Sequence, residues 1–84
     1  MNNKFLNKVT EQIISETRVI DDKVYTPFSP FFSFHYFVLY PPLFSFISHC
    51  KEVYSLNEQE IDYVWNEYKK GVTTLMDKKE LSYG

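Results

Sequence analysis

The chain has 84 residues, of which 44% are hydrophobic and 19% aromatic, and it carries a net charge of −2. That length gives one domain, and a 10.1 kDa chain buries only about 64% of its unfolded surface, so a single thin core is the limit. Both charge signs are interleaved and Arg18 is the lone arginine, which argues against a basic nucleic-acid-binding stripe. One cysteine, Cys50, excludes an intrachain disulfide framework.

The start, MNNKFLNKV, has lysines but no apolar core, so no signal peptide is expected. Residues 3–17 then read as an amphipathic helix with Phe5, Leu6, Val9, Ile13 and Ile14 on one face. Residues 18–26 change character. Val19, Ile20, Val24 and Tyr25 favour strands around Asp21-Asp22-Lys23. A small hairpin and an extended connector both fit, because the turn lacks the Asn-Gly or Asp-Gly pair that makes a hairpin strong.

Residues 27–50 read PFSPFFSFHYFVLYPPLFSFISHC, with no formal charge between Lys23 and Lys51. Nine of the sixteen aromatics fall here, at Phe28, Phe31, Phe32, Phe34, Tyr36, Phe37, Tyr40, Phe44 and Phe46. The uncharged run is long enough to span a bilayer. Pro41-Pro42 divides it, however, and each half alone is too short. Disorder conflicts with so many rings. The remaining reading is a segment buried within the fold or beneath a partner. Before the proline pair, Phe32, Phe34, Tyr36, Val38 and Tyr40 alternate as in a strand, although a short helix also fits. After it, Leu43, Phe46, Ile47, Cys50 and Tyr54 follow helical spacing, and Pro42 suits a first turn, which predicts a helix over 42–54.

Leu56 to Met76 is the best-specified stretch. Asn57 and Glu60 have the spacing of a capping box, and Leu56 and Ile61 that of a hydrophobic staple. Ile61, Val64, Trp65, Tyr68, Val72, Leu75 and Met76 recur on one stripe, which predicts a helix over 57–79. Gly71 offers a C-cap, but the stripe continues past it, so continuation is expected. The short link at Ser55-Leu56 makes 42–54 and 57–79 neighbours in an αα-hairpin. The polar tail KKELSYG is expected to fray. The fold class is thus mainly α, with three helices (3–17, 42–54, 57–79) and an aromatic extended segment or short strands at 18–40. An α+β fold is the alternative.

Chemistry is sparse. Neighbours on a helix point about 100° apart, so His49 and Cys50 do not converge as a catalytic pair, and Cys50 falls on the apolar stripe. His35, His49 and Cys50 have no zinc-ligand spacing, and His35 among aromatics reads as a core or interface histidine. Glu58, Glu60 and Asp62 lack a calcium-loop pattern and suit a helix start. There is no Gly-rich phosphate loop. A helix-turn-helix over 42–70 would turn those acids toward DNA phosphates. No cofactor, metal site or catalytic set is expected.

The cadence HCKEVYSLNEQEIDYVWNEY, residues 49–68, resembles stretches in small uncharacterised proteins of tailed phages. The resemblance implies a viral accessory or virion protein, located in the host cytoplasm or the virion, and it assigns no site residues. The expectation is therefore a non-enzymatic interaction protein that binds a protein partner or its own copies. Its candidate partner-binding residues are Phe28, Phe31, Phe32, Phe34, Tyr36, Phe37, Tyr40 and Trp65, where for Trp65 a core anchor is the plainer reading. The alternative is a membrane-associated protein inserting residues 27–48.

Overall fold

The chain order is α1 (Asn3–Ser15), β1 (Arg18–Ile20), β2 (Lys23–Tyr25), β3 (Phe32–Ser33), α2 (Phe34–Leu39), α3 (Leu43–Tyr54) and α4 (Glu58–Leu81). The computed structural model describes residues 3–81, with side chains described as far as Met76. The class is mainly α with a small antiparallel sheet ordered β1-β2-β3. The expectation of a frayed tail at 78–84 falls on residues largely outside that description.

α4 is the spine. Its start is the capping box read from the sequence: Glu60 N donates to Asn57 Oδ1 at 2.8 Å, and Asn57 N donates to Glu60 Oε1 at 2.9 Å. Leu56 and Ile61 are both buried beside it, as a staple requires. The stripe Ile61, Val64, Trp65, Tyr68, Val72 and Met76 faces inward. α1 packs along it through Leu6, Val9, Thr10 and Ile13. Tyr63 Oη also donates to Asn7 Oδ1 at 2.9 Å across the two helices. The helix runs through Gly71 without a break. A Cβ on Gly71 would overlap Ile14 Cδ1 and stand 3.1 Å from its Cγ1. Glycine therefore serves the close approach of α1 to α4, and a C-cap plays no part.

The 18–26 stretch is a hairpin in the register Arg18↔Tyr25, Val19↔Val24, Ile20↔Lys23. Its two-residue turn, Asp21-Asp22, has φ of 50° and 64°, the left-handed pattern of a type I′ turn. Aspartate tolerates that region better than most residues. Val24 on the central strand is fully buried, and Phe32 pairs with it from β3.

Strand and short helix both fit 31–40 by sequence, and the chain uses both, with the strand ending after Ser33. Ser33 Oγ accepts a hydrogen bond from Tyr36 N at 3.2 Å and so caps α2. The remaining aromatics then follow a helical period, and Phe37 is the α2 residue that enters the core. Tyr40 N donates to Tyr36 O at 2.7 Å, after which Pro41-Pro42 stops the helix. α3 ends on Ser55 in the left-handed conformation, and Leu56 N donates to Cys50 O at 3.3 Å.

The core centre is a ring cluster. Phe46 lies 4.6 Å from Trp65 and 5.5 Å from Tyr68, centroid to centroid. Phe28 meets Phe46 edge-on at 5.3 Å, and Phe37 stands 6.2 Å from Trp65. Such pairs add about 0.5–1.5 kcal/mol each beyond area burial. Tyr68 brings its hydroxyl into this apolar centre and satisfies it on Thr17 Oγ1 at 2.7 Å.

Candidate functional site

The two halves of the uncharged segment meet at a corner where α2 gives way, through Pro41-Pro42, to α3. One residue per turn holds each half down: Phe37 from α2, and Phe46 and Cys50 from α3. The residues between them face solvent. Phe44 is 84% exposed and Tyr40 65%, with Tyr36, Val38, Leu39 and Leu43 also exposed. Tyr36 bridges Phe32, on which it stacks with centroids 5.8 Å apart, and Tyr40, 5.2 Å away. A stair of rings thus leads from β3 to the end of α2.

Beside this corner runs a groove of about 390 Å³ between α3 and α4. Ile61 and Trp65 form its floor, and Phe44 and Lys51 stand on its α3 lip. Glu58 and Asp62 stand on the α4 lip. The groove is therefore apolar within and carries opposite charges on its two rims.

The sequence-predicted partner set divides by depth. Phe31, Tyr36 and Tyr40 are exposed, while Phe28, Phe32 and Phe34 are partly buried against the core. Phe37 and Trp65 are corrected to core residues, being 3% and 5% exposed. Phe37 is the buried residue of α2, and Trp65 lies with Tyr68 on the inward stripe of α4. Phe44 and Leu43 belong to the exposed corner and were absent from the predicted set. For Phe44 the signal was present, because on the period that buries Phe46 and Cys50 it falls on the outer side of the helix, whereas Leu43 shares their stripe and is exposed against that expectation.

The remaining candidates are placed as follows. Cys50 is fully buried, and burial pushes its thiol up to about 11, away from the thiolate a nucleophile needs. His49 packs between Phe28 and Tyr54, with centroids 5.9 Å from each. Its buried Nε2 has no hydrogen-bond partner. His35, expected in a core or interface, is exposed in the first turn of α2. Among the described residues no group of three His, Cys, Asp or Glu side chains is arranged to hold a metal ion. Among them, too, no helix is long and apolar enough to cross a membrane.

What the fold and the corner define is a mainly α domain with an exposed aromatic corner. Comparison with known proteins finds no matching family model, no matching curated relative and no matching solved structure.

Proposed function

We propose that this chain is a non-enzymatic interaction protein. It binds a protein partner, or further copies of itself, through the aromatic corner formed by α2 and the start of α3. The observation that carries the reading is the run from Tyr36 to Phe44. Its rings are held at solvent, with Phe44 84% exposed, although the same chain has a core that takes in Phe37, Phe46, Trp65 and Tyr68. Monomeric domains seldom leave an apolar patch of this kind bare. The net charge of −2 and a single arginine point away from nucleic acid as the partner. The resemblance of residues 49–68 to small tailed-phage proteins supports a phage-encoded accessory or virion role, in the host cytoplasm or the virion. The rival is a lipid surface that takes up the corner, within the stretch 27–48.

Hydrophobic-dye fluorescence and light-scattering mass, measured together on the full chain, test the reading. The expected result is dye binding, or a mass above the 10.1 kDa of one chain. A Tyr40→Ser/Phe44→Ser variant is expected to lose that signal with an unchanged circular dichroism spectrum. A wild-type protein that is both a single chain and silent to the dye overturns it. Flotation of the protein with phospholipid vesicles transfers the corner to the rival reading.

A further inference from the structure

Within the reading that the corner is a binding surface, we infer that its occupant is a second copy of this chain. The two copies dock so that Phe44 of each enters the groove between α3 and α4 of the other. The groove's own asymmetry suits a like partner. α3 and α4 are joined at Ser55–Asn57, so the C-terminal end of α3 and the N-terminal end of α4 lie at the same end of the groove. Lys51 and Glu58 therefore share that end, and Phe44 and Trp65 share the other.

A two-fold axis along the groove, in the plane between two facing copies, keeps the ends in register and exchanges the lips. Each α3 lip then meets the partner's α4 lip. Phe44 comes over the partner's Trp65, and Lys51 comes over the partner's Glu58 and Asp62. Both contacts are made twice, as an isologous interface demands. At the Phe44 end the α3 lip carries no formal charge, since none falls between Lys23 and Lys51, so Lys69, whose Nζ stands 5.9 Å from the Trp65 ring, meets no cation there. α2 adjoins that end through its buried Phe37, which packs 6.2 Å from Trp65.

The six exposed apolar side chains from Tyr36 to Phe44 offer on the order of 600 Å², taking about 150–250 Å² for each whole aromatic. Reaching the ~800 Å² per partner of a standard interface therefore takes the groove lips and the exposed side of α2 together.

Sedimentation equilibrium of the full chain over a concentration series tests the inference. The expected mass rises from 10.1 kDa toward twice that value. Phe44→Glu is expected to weaken pairing by roughly thirty-fold or more, the loss of a central anchor. The decisive variants are K51E and the double variant E58K/D62K. Each alone sets like charges across the interface and is expected to remain a single chain. Mixed together, they restore both pairs and are expected to form a one-to-one dimer. All four positions are exposed, and because Glu58 also stands in the first turn of α4, D62K alone replaces the double variant if E58K weakens the helix start.

A wild-type chain of single mass at every concentration overturns the inference. If it still binds hydrophobic dye, the binding-surface reading survives without self-pairing, whereas a chain that is single and silent to the dye ends both. A wild-type dimer whose two charge variants fail to pair on mixing also overturns it, because the copies then meet elsewhere.

Discussion

Thr17 and Tyr68 are 51 residues apart in sequence and share one buried hydrogen bond, which makes a sensitive probe of how the first helix and the spine are locked. The direction of the bond follows from proton economy. Thr17 has a single hydroxyl proton, and Oγ1 donates it to Ile13 O at 2.8 Å. Tyr68 Oη must then be the donor to Thr17 Oγ1, at 2.7 Å. The two deletions are therefore unequal. Tyr68→Phe removes a donor and leaves Thr17 still donating to Ile13 O, at a cost of about 1 kcal/mol. Thr17→Val keeps the shape but strands the Tyr68 hydroxyl, which is fully buried among rings, and costs about 2–3 kcal/mol. In the double variant no stranded group remains, so its cost is expected to fall about 1 kcal/mol or more below the sum of the singles. Urea unfolding followed by far-ultraviolet circular dichroism measures all four corners of this cycle. For a domain of this size each 1 kcal/mol also moves Tm by about 4–8 °C. Additive costs, or a Thr17→Val change milder than Tyr68→Phe, refute the assigned donor.

Further outcomes follow from the same coordinates. Burial raises the Cys50 thiol from 9.0 to about 11 and the Tyr68 phenol from 10.0 to about 12. Both groups are held protonated by the fold, so their stabilisation is complete below pH 9 and is lost as pH rises from 9 to 12. At about 1.4 kcal/mol per unit the loss is on the order of several kcal/mol, and Cys50→Ala is expected to flatten the first part of the decline in urea midpoints. Gly71→Ala sets a helix-propensity gain of about 1 kcal/mol against overlap with Ile14. It is expected to be neutral or destabilising alone, but stabilising by about 1 kcal/mol in an Ile14→Ala background, which lacks both Cδ1 and Cγ1. A gain in the wild-type background contradicts the close contact. Asp22→Gly relieves a left-handed residue in the hairpin turn and is expected to raise thermal stability by about 0.5 kcal/mol, whereas a loss means that the turn has another conformation.

Where local chemistry decided the outcome, the fold was legible in the sequence. Asn57 and Glu60 announce the start of α4 because a capping box involves only residues three apart. The stripe from Ile61 to Met76 announces its buried face, and Pro41-Pro42 announces the α2–α3 corner. At Phe32–Tyr40 two periods competed in one aromatic run, and alternation suggested a strand. The side chain of Ser33 settled it by accepting from Tyr36 N, which turned the run into a helix and moved Phe37 inside. Gly71 was read as continuing the helix, but its cause, Ile14 on another helix, is non-local. Trp65 lies on the stripe that announces the buried face, so its place in the core was legible there, whereas Phe37 falls in the run where two periods compete and composition cannot say which ring points inward. Phe44 was legible in principle, one step off the stripe that buries Phe46 and Cys50. What covers the corner depends on a second molecule, which no single sequence names.

The account rests on a division among the rings: Phe37, Phe46, Trp65 and Tyr68 are closed away, whereas Tyr36, Tyr40 and Phe44 stand open at the corner. Hydroxyl-radical footprinting with mass spectrometry reads both sets in one experiment, on dilute protein in which the copies are apart. Oxidation of Tyr36, Tyr40 and Phe44 well ahead of the other four is the expected pattern. Trp65 and Tyr68 oxidised as fast as Tyr40, or a corner as protected as the core, contradicts it.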